Sequence, residues 1–218
     1  MLKVIQTFFS AFFSYVFPES LSTKRNKLLL SQLNSKNRPI VSTDSISIFS
    51  YQLEPVKQAV LLLKRQPYQL VGDIFAETIS KNLLDKISTS KNVTLVSIPS
   101  HQPSSLHDQS FFLRKKLFST LKQNHPQTKI LTADIAWKNP PQKQSLMPTR
   151  AARIQNRQDC FRLASKKDQA AIKQSNHIIV IDDVITSGST MNAAKKVLRH
   201  YNHNAKIIAV SFARQEYI

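Results

Sequence analysis

The chain has 218 residues, of which 41% are hydrophobic and 20% charged, a composition typical of a folded protein rather than a disordered one. Its 31 Lys and Arg against 13 Asp and Glu give a net charge of +18, which favours anionic partners such as nucleic acid, phosphorylated metabolites or a membrane surface. Only two glycines and one cysteine are present, which excludes glycine-rich dinucleotide and nucleotide loops, disulfide scaffolds and thiolate zinc sites.

The first 45 residues are predicted to form a helical appendage and a linker ahead of a domain over residues 46–218. Residues 1–17 are apolar and aromatic and predict an amphipathic helix, which is too short to be a transmembrane segment. We expect it to pack on the domain or a partner, with interfacial membrane binding as the alternative. A second helix is predicted over residues 22–33 and a polar linker over residues 34–45. No convincing signal-peptide cleavage site follows. Because a single cysteine cannot form an intramolecular disulfide, the expected location is cytoplasmic.

Within the domain, mostly apolar strands alternate with helices. Strands are predicted at Ile46–Tyr51, Val93–Ile98, Lys129–Thr132, Ile178–Ile181 and Ala205–Ser211. Helices are predicted at Pro55–Leu63, Leu70–Leu84, Phe111–Leu121 and Met191–Tyr201. A long basic loop with three prolines is predicted over residues 137–150. This alternation predicts an α/β fold with a central, mostly parallel sheet and helices on both faces.

The segment from Ile178 to Thr190, IIVIDDVITSGST, carries the most informative pattern. Four apolar residues predict a central strand, and two carboxylates emerge at its carboxyl end, the edge where open α/β sheets bind ligands. Small and hydroxylated residues around Gly188 then enter a helix, and their N–H groups and hydroxyls can surround a phosphate. Because carboxylates facing a phosphate would repel it, we expect Asp182 and Asp183 to accept hydrogen bonds from sugar hydroxyls, or to hold hydrated Mg²⁺ indirectly. The segment therefore predicts a ribose 5-phosphate site.

This segment resembles the phosphoribosyl pyrophosphate (PRPP) motif of type I phosphoribosyltransferases. The resemblance implies that Asp182 and Asp183 contact the ribose 2′ and 3′ hydroxyls and are the catalytic residues. The loop residues to which it assigns the 5′-phosphate are Thr186, Ser187, Gly188, Ser189 and Thr190. It further implies a type I phosphoribosyltransferase-like fold and Mg²⁺ bound together with PRPP.

Shorter matches over roughly residues 50–218 are similar to the ComF/GntX group of competence-associated proteins with a phosphoribosyltransferase domain. They include Val96-Ser97-Ile98-Pro99 and the series Arg153, Asn156 and Phe161. In that group the loop after the strand ending in Pro lies on the pyrophosphate side of the ligand. The resemblance therefore implies that Ser100, His101 and Arg153 lie on the pyrophosphate side, although an exposed loop histidine is an equal alternative for His101.

Two departures from that group are evident. Its members usually begin with a paired-cysteine zinc module, which the single Cys160 cannot supply, so no zinc is expected. They also tend to carry Arg-Gly-Phe-Asn-Gln at the start of the helix after the pyrophosphate loop. Here residues 109–113 read QSFFL and keep only the first Phe. This second departure falls on the pyrophosphate side of the predicted site.

The sequence thus supports two functions. The first is a ComF-like protein that binds PRPP or a related ribose 5-phosphate ligand, with or without turnover as a phosphoribosyltransferase, and is linked to DNA uptake in competence. The alternative is a non-catalytic module with a relic ligand site, whose basic surface engages single-stranded DNA or a DNA-processing protein. Residues 101–175 carry 14 Lys and Arg against 4 Asp and Glu, which suits that alternative. The acceptor base and the oligomeric state are left open.

Overall fold

A computed structural model describes residues 39–65, 68–100, 108–138 and 160–216. The two predicted N-terminal helices and most of the predicted basic loop lie outside the described residues. In the described part of the chain, no helix is both long enough and apolar enough to cross a bilayer.

The described residues form seven strands and five helices in alternation. The strands are β1 (Ile40–Val41), β2 (Ser45–Ser50), β3 (Asn92–Ser97), β4 (Lys129–Trp137), β5 (Phe161–Leu163), β6 (His177–Ile185) and β7 (Lys206–Arg214). The helices are α1 (Glu54–Arg65), α2 (Gln69–Ile87), α3 (Gln109–Asn124), α4 (Lys166–Lys173) and α5 (Ser189–Tyr201). Each predicted strand and helix of the domain is found, with ends that differ by up to five residues.

The strands form one sheet in the order β1-β2-β7-β6-β3-β4-β5. The five inner strands of this order run parallel, namely β2, β7, β6, β3 and β4. The edge strands β1 and β5 pair antiparallel with their neighbours. Strands β6 and β3 lie at the centre, where parallel strands are buried on both faces and read as continuous apolar runs. Because the strands are parallel, the loops that follow β3 and β6 meet at one edge of the sheet.

Both faces of the sheet are covered by helices, which confirms the predicted α/β class. Ile178 and Val180 of β6 pack in one core cluster with Ile172 of α4 and Leu198 of α5. Successive side chains of a strand point to opposite faces, so Ile179, which is fully buried, faces the other layer. On that side α3 packs on β3, β4 and β6, and α2 packs on α3 and on β2 and β7.

Part of the segment predicted as a linker belongs to the sheet. Strand β1 lies inside it, and Asp44 anchors the following turn to the sheet and to α5. The Asp44 carboxylate accepts from Lys195 Nζ over 2.6 Å, and the Asp44 carbonyl accepts from the Ala209 N–H over 2.9 Å. The hydrogen bond from Lys195, whose side chain is 9% exposed, lowers the pKa of Asp44 below its ordinary value. A two-residue strand has too short a pattern to be predicted from sequence.

Strand β5 and helix α4 are absent from the sequence prediction. β5 has only three residues, and the eight residues of α4 read KKDQAAIK, which lacks a strong apolar stripe. A local signal for α4 does exist: Ser165 is the N-cap and accepts from the Asp168 N–H over 3.2 Å. Asp168 also accepts from the Asp134 N–H over 3.0 Å, so tertiary contacts hold this short helix against β4.

Candidate functional site

The candidate site lies where β6 continues beyond its neighbour β3. Ser97, the last residue of β3, pairs with Ile181, whereas β6 continues alongside β7 as far as Ile185. Asp182 and Asp183 are therefore within the strand, which corrects the prediction that they follow its end. They nevertheless lie at the sheet edge on the β3 side, because they come directly after the point where β3 stops.

The two carboxyl groups are held by short local contacts. Asp182 Oδ1 accepts from the Asp183 N–H over 2.9 Å and from Ser110 Oγ of helix α3 over 3.3 Å. Asp183 Oδ1 accepts from the Val184 N–H over 2.8 Å. Burial and the adjacent Asp183 carboxyl raise the pKa of Asp182 well above its ordinary value of 3.8. The pair therefore retains a proton to higher pH than two isolated carboxyls would.

The loop after β6 leads directly into α5, and Ser189 and Thr190 form its first turn. Gly188 is the N-cap, with φ +73°, a left-handed conformation that favours glycine. No side chain caps this helix at the N-cap position, and no acidic residue lies in its first turn. Ser187 Oγ and Ser189 Oγ lie 3.0 Å apart, which places two hydroxyls beside the helix N-terminus. This combination of N–H groups, hydroxyls and helix dipole suits an oxyanion.

A depression lies between Asp182 and the loop that follows β6. Its lining residues are Asp182, Val184, Ile185, Thr186, Gly188, Thr190 and Met191. Its empty volume, including the part open to solvent, is about 200 Å³.

The loop after β3 borders the same edge. The Ser100 N–H donates to Asp108 Oδ2 over 2.9 Å, and Trp137 Nε1 donates to the Ser100 carbonyl over 3.0 Å. The other oxygen of Asp108 accepts from the Phe111 N–H over 2.8 Å and so caps helix α3. Ser100 is thus fixed at both its backbone N–H and its carbonyl.

The predicted site residues are therefore brought together only in part. Asp182 and Asp183 lie beside the loop residues Thr186 to Thr190, and Ser100 lies near the same edge. His101 and Arg153 lie outside the described residues. Sequence reasoning missed Asp108 and Ser110, although an Asp directly before a helical segment is a recognisable N-cap signal.

Oxygen donors dominate this edge. Within the described ranges, no three His, Cys, Asp or Glu side chains come together as a metal site. Carboxylate, hydroxyl and phosphate oxygens are nevertheless the donors that Mg²⁺ prefers, usually with one or two carboxylates and several waters. Asp182 and Asp183 are the carboxyl groups at this edge that could contact such an ion together with a bound phosphorylated molecule.

Comparison with known proteins gives distant similarities. No family model matches the sequence, and no curated protein matches it. Among solved structures, the chain is similar to a hypoxanthine phosphoribosyltransferase from Staphylococcus aureus, at 12% identity over 68% of each chain with a TM-score of 0.37. It is similar to a xanthine-guanine-hypoxanthine phosphoribosyltransferase from Helicobacter pylori, at 12% identity over 78% of this chain and 80% of that one, with a TM-score of 0.31. A purine phosphoribosyltransferase from Pyrococcus horikoshii is 8% identical over 67% of this chain and 84% of that one, with a TM-score of 0.34. At these values the similarities assign no activity to the chain.

The raised pKa of Asp182 predicts a pH-dependent gain in stability for Asp182→Asn. The folded protein holds this proton to higher pH than the unfolded chain, so the stability it contributes is complete below pH 3.8 and is lost as the pH rises through the raised pKa. Asparagine carries no charge to bury and keeps an oxygen for Ser110. We expect the variant to exceed the wild type in free energy of unfolding near pH 7, with the gap narrowing towards pH 4. Urea denaturation from pH 4 to 8 measures this gap.

Asp85→Asn, at the exposed carboxyl end of α2, is the matched control and should retain the wild-type pH profile. A constant difference between Asp182→Asn and the wild type at every pH would contradict the prediction.

The positive φ of Gly188 predicts that side chains there strain the loop. A Cβ at this position meets no atom within 4 Å, so crowding does not contribute. Gly188→Ala should lower the free energy of unfolding by about 1 kcal/mol, the cost of a left-handed L-residue, and Gly188→Asn by less, because Asn tolerates that conformation. Chemical denaturation measures both values. Equal losses for Ala and Asn would show that another cause operates.

Proposed function

We propose that this chain binds a phosphoribosyl ligand, either PRPP or another ribose 5-phosphate, at the carboxyl edge of β6. One observation carries the proposal: Asp182 and the N-terminus of α5, whose N-cap Gly188 supplies no side chain, line one depression and are separated by only a few residues of β6 and its loop. A phosphorylated sugar needs both features, since its hydroxyls seek acceptors and its phosphate seeks donors.

In this proposal the phosphate binds to the loop from Thr186 to Thr190. The left-handed Gly188 turns the chain so that α5 begins at Ser189. The hydroxyls of Ser187 and Ser189 lie beside the helix N-terminus, whose dipole favours negative charge. Gly188 supplies no side chain at the N-cap, and Ser187 Oγ accepts from the Ser189 N–H over 3.5 Å, so a hydroxyl lies at this end of α5, consistent with the resemblance to the PRPP motif.

The ribose hydroxyls bind to Asp182 and Asp183. Carboxyl oxygens accept hydrogen bonds from the 2′ and 3′ hydroxyls, and a protonated Asp182 can also donate one. The raised pKa of Asp182 serves phosphate binding as well. Because the pair retains a proton to higher pH, it carries less negative charge beside the phosphate than two ordinary carboxylates would.

The family proposed is the ComF-like group, with Asp182 and Asp183 as its catalytic residues if transfer occurs. In that chemistry the anomeric carbon gains positive character as pyrophosphate leaves and an acceptor nitrogen attacks. This chain's residues would position the ribose and its phosphate, which is the principal contribution to such a reaction. Mg²⁺ would neutralise the pyrophosphate oxygens, and the leaving group would lie towards Ser100, His101 and Arg153.

A second candidate function, binding of single-stranded DNA, rests on an uneven distribution of charge. The face formed by β5, α4 and α5 carries exposed basic residues, namely Arg162, Lys166, Lys167, Lys173 and Arg199. Asp168, the acidic residue of α4, is buried and bonded to Ser165 and the Asp134 N–H. Helices α1 and α2 instead mix both signs, as in the Lys57–Glu54 ion pair. A face of one sign favours a polyanion and agrees with the proposed link to DNA uptake.

The first test is ligand-dependent thermal stabilisation. Ribose 5-phosphate or PRPP with Mg²⁺ should raise the melting temperature of the wild type in proportion to the logarithm of ligand concentration above Kd. Asp183→Asn should lose most of this shift because it removes an acceptor for the sugar hydroxyls. Asp85→Asn removes the same charge at the exposed carboxyl end of α2 and should keep the full shift. No shift with either ligand would contradict the proposal.

The second test is salt-dependent binding of a labelled single-stranded oligonucleotide, measured by fluorescence anisotropy. The logarithm of the binding constant should fall linearly with the logarithm of the salt concentration. The triple variant Lys166→Glu, Lys167→Glu and Lys173→Glu should weaken binding by at least about tenfold. The matched control on α1 and α2 is Lys64→Glu, Arg65→Glu and Lys81→Glu. Equal losses for the two variants would show that net charge alone is responsible, and absence of binding at low salt would exclude this function.

A further inference from the structure

Helix α3 carries a surface stripe in which aromatic and basic residues alternate. Its members are Phe111, Lys115, Phe118 and Lys122, and together they are called the α3 stripe below. At 3.6 residues per turn they fall within about 60° around the helix axis, and they rise along it in steps of about 6, 4.5 and 6 Å. Phe111, Lys115 and Lys122 are exposed, and Phe118 is partly exposed. The stripe is therefore one narrow surface that runs along most of the helix.

The packing of α3 on the domain uses a different side of the helix. The residues that the domain buries are Ser110, Leu113, Arg114, Leu117 and Leu121, which are centred about 120° away from the stripe. Phe111, in contrast, keeps 50% of its surface exposed. The ring of Phe111 is therefore not needed to fill the core, and replacing it should leave the fold intact.

The stripe also carries positive charge that no carboxylate offsets. The 16 residues of α3 include no Asp or Glu. Two of its four cations, Arg114 and Lys116, pair with carboxylates of β4 and α2, each over 2.6 Å. The other two, Lys115 and Lys122, belong to the stripe, and within the described ranges neither forms an ion pair. Two ammonium groups thus accompany the two rings and favour an anionic partner.

Each ring of the stripe has a cation of the same helix over one face. The guanidinium carbon of Arg114 lies 4.8 Å from the centroid of the Phe111 ring, and Lys122 Nζ lies 5.0 Å from that of Phe118. Such contacts are attractive and restrict the orientation of the ring. A ring that is already oriented loses less conformational freedom when a flat partner stacks on it. Rings beside cations are the combination that binds single strands, because bases stack on the rings while the cations follow the phosphates.

We infer that the α3 stripe is a base-stacking surface for single-stranded DNA. Bases stack on Phe111 and Phe118, and the ammonium groups of Lys115 and Lys122 contact the phosphates beside them. This inference rests on the second candidate function, since it requires that the chain binds single-stranded DNA. It adds contacts to the bases on α3, whereas the basic face of β5, α4 and α5 offers contacts to phosphates alone.

Two other anionic partners fit the stripe less well. The bases of a duplex are paired and stacked on one another, so their faces are not available to the rings. An interfacial membrane helix buries a broad apolar face in the lipid. The leucines of α3, namely Leu113, Leu117 and Leu121, are fully buried in the domain and cannot serve that purpose. Two separate rings between lysines suit stacked bases better than a lipid surface.

The test measures the binding of a fluorescein-labelled oligothymidylate to the full chain by fluorescence anisotropy over a range of salt concentrations. Phe111→Leu keeps an apolar side chain but removes the ring, so it should weaken binding at least about fivefold without changing the salt dependence. Phe111→Trp keeps a ring and should bind at least as tightly as the wild type. Lys115→Gln should instead reduce the slope of the log–log salt plot by about 0.7, the value for one phosphate contact on a single strand.

Matched controls lie on the neighbouring helices. Leu61→Ala removes an exposed apolar side chain of α1, and Lys81→Gln removes an exposed charge of α2. Both should retain the wild-type affinity and salt slope. An abasic oligonucleotide of the same length supplies phosphates without bases. It should bind the wild type at least about fivefold more weakly than oligothymidylate, and it should bind Phe111→Leu as it binds the wild type.

The outcomes separate this inference from the function on which it rests. If Phe111→Leu binds oligothymidylate as tightly as the wild type, or if the abasic strand binds equally well, the inference is wrong and the second candidate function stands on phosphate contacts. Vesicles of phosphatidylglycerol that compete with the oligonucleotide, and that bind Phe111→Leu and the wild type alike, would assign the stripe to a membrane and also overturn the inference. Absence of oligonucleotide binding at low salt would exclude the second candidate function itself.

Discussion

The site depends on the placement of two adjacent carboxyl groups at the point where a central strand loses one of its neighbours. A carboxyl group on a strand that is paired on both sides has no room for its charge. At a strand end exposed to solvent, the pKa of the carboxyl would not be perturbed. Here β6 still pairs with β7 on one side but extends beyond the end of β3 on the other. Asp182 is therefore partly enclosed and next to Asp183. Burial and the Asp183 carboxyl raise the pKa of Asp182, while the bond from Ser110 joins α3 to β6 through the same side chain.

Much of the fold could be predicted from sequence because the central strands are continuous apolar runs and the longer helices carry regular stripes. The residues 178–181 illustrate this, since four consecutive apolar side chains are all fully buried. The two edge strands and α4 were missed for a common physical reason. Short elements at the margin of a sheet are stabilised by tertiary contacts, such as the bond between Asp168 and the Asp134 N–H, and these leave little periodicity in the sequence.

The sequence predicted the part of the candidate site that is contiguous along the chain. It did not predict the part that residues distant in sequence contribute. Asp182 to Thr190 are contiguous, so their chemistry could be read directly. The hydrogen bonds of Asp108 to Ser100 and of Ser110 to Asp182 join residues that are 8 and 72 positions apart. No sequence pattern specifies which carboxylate caps which loop, because that pairing arises only when β3 and β6 lie side by side.

The turn before β2 also has a practical meaning for anyone who wishes to produce the domain in isolation. A start at Ile46, where the apolar pattern begins, would discard Asp44 and leave the ammonium group of Lys195 enclosed without a counter-ion. Since Lys195 lies on the helix that begins at the candidate phosphate loop, such a truncation would loosen that helix far from the missing residues. If such a shortened protein failed to bind sugar phosphates, the cause would then be the choice of its first residue. The result would not show that the full chain lacks this binding.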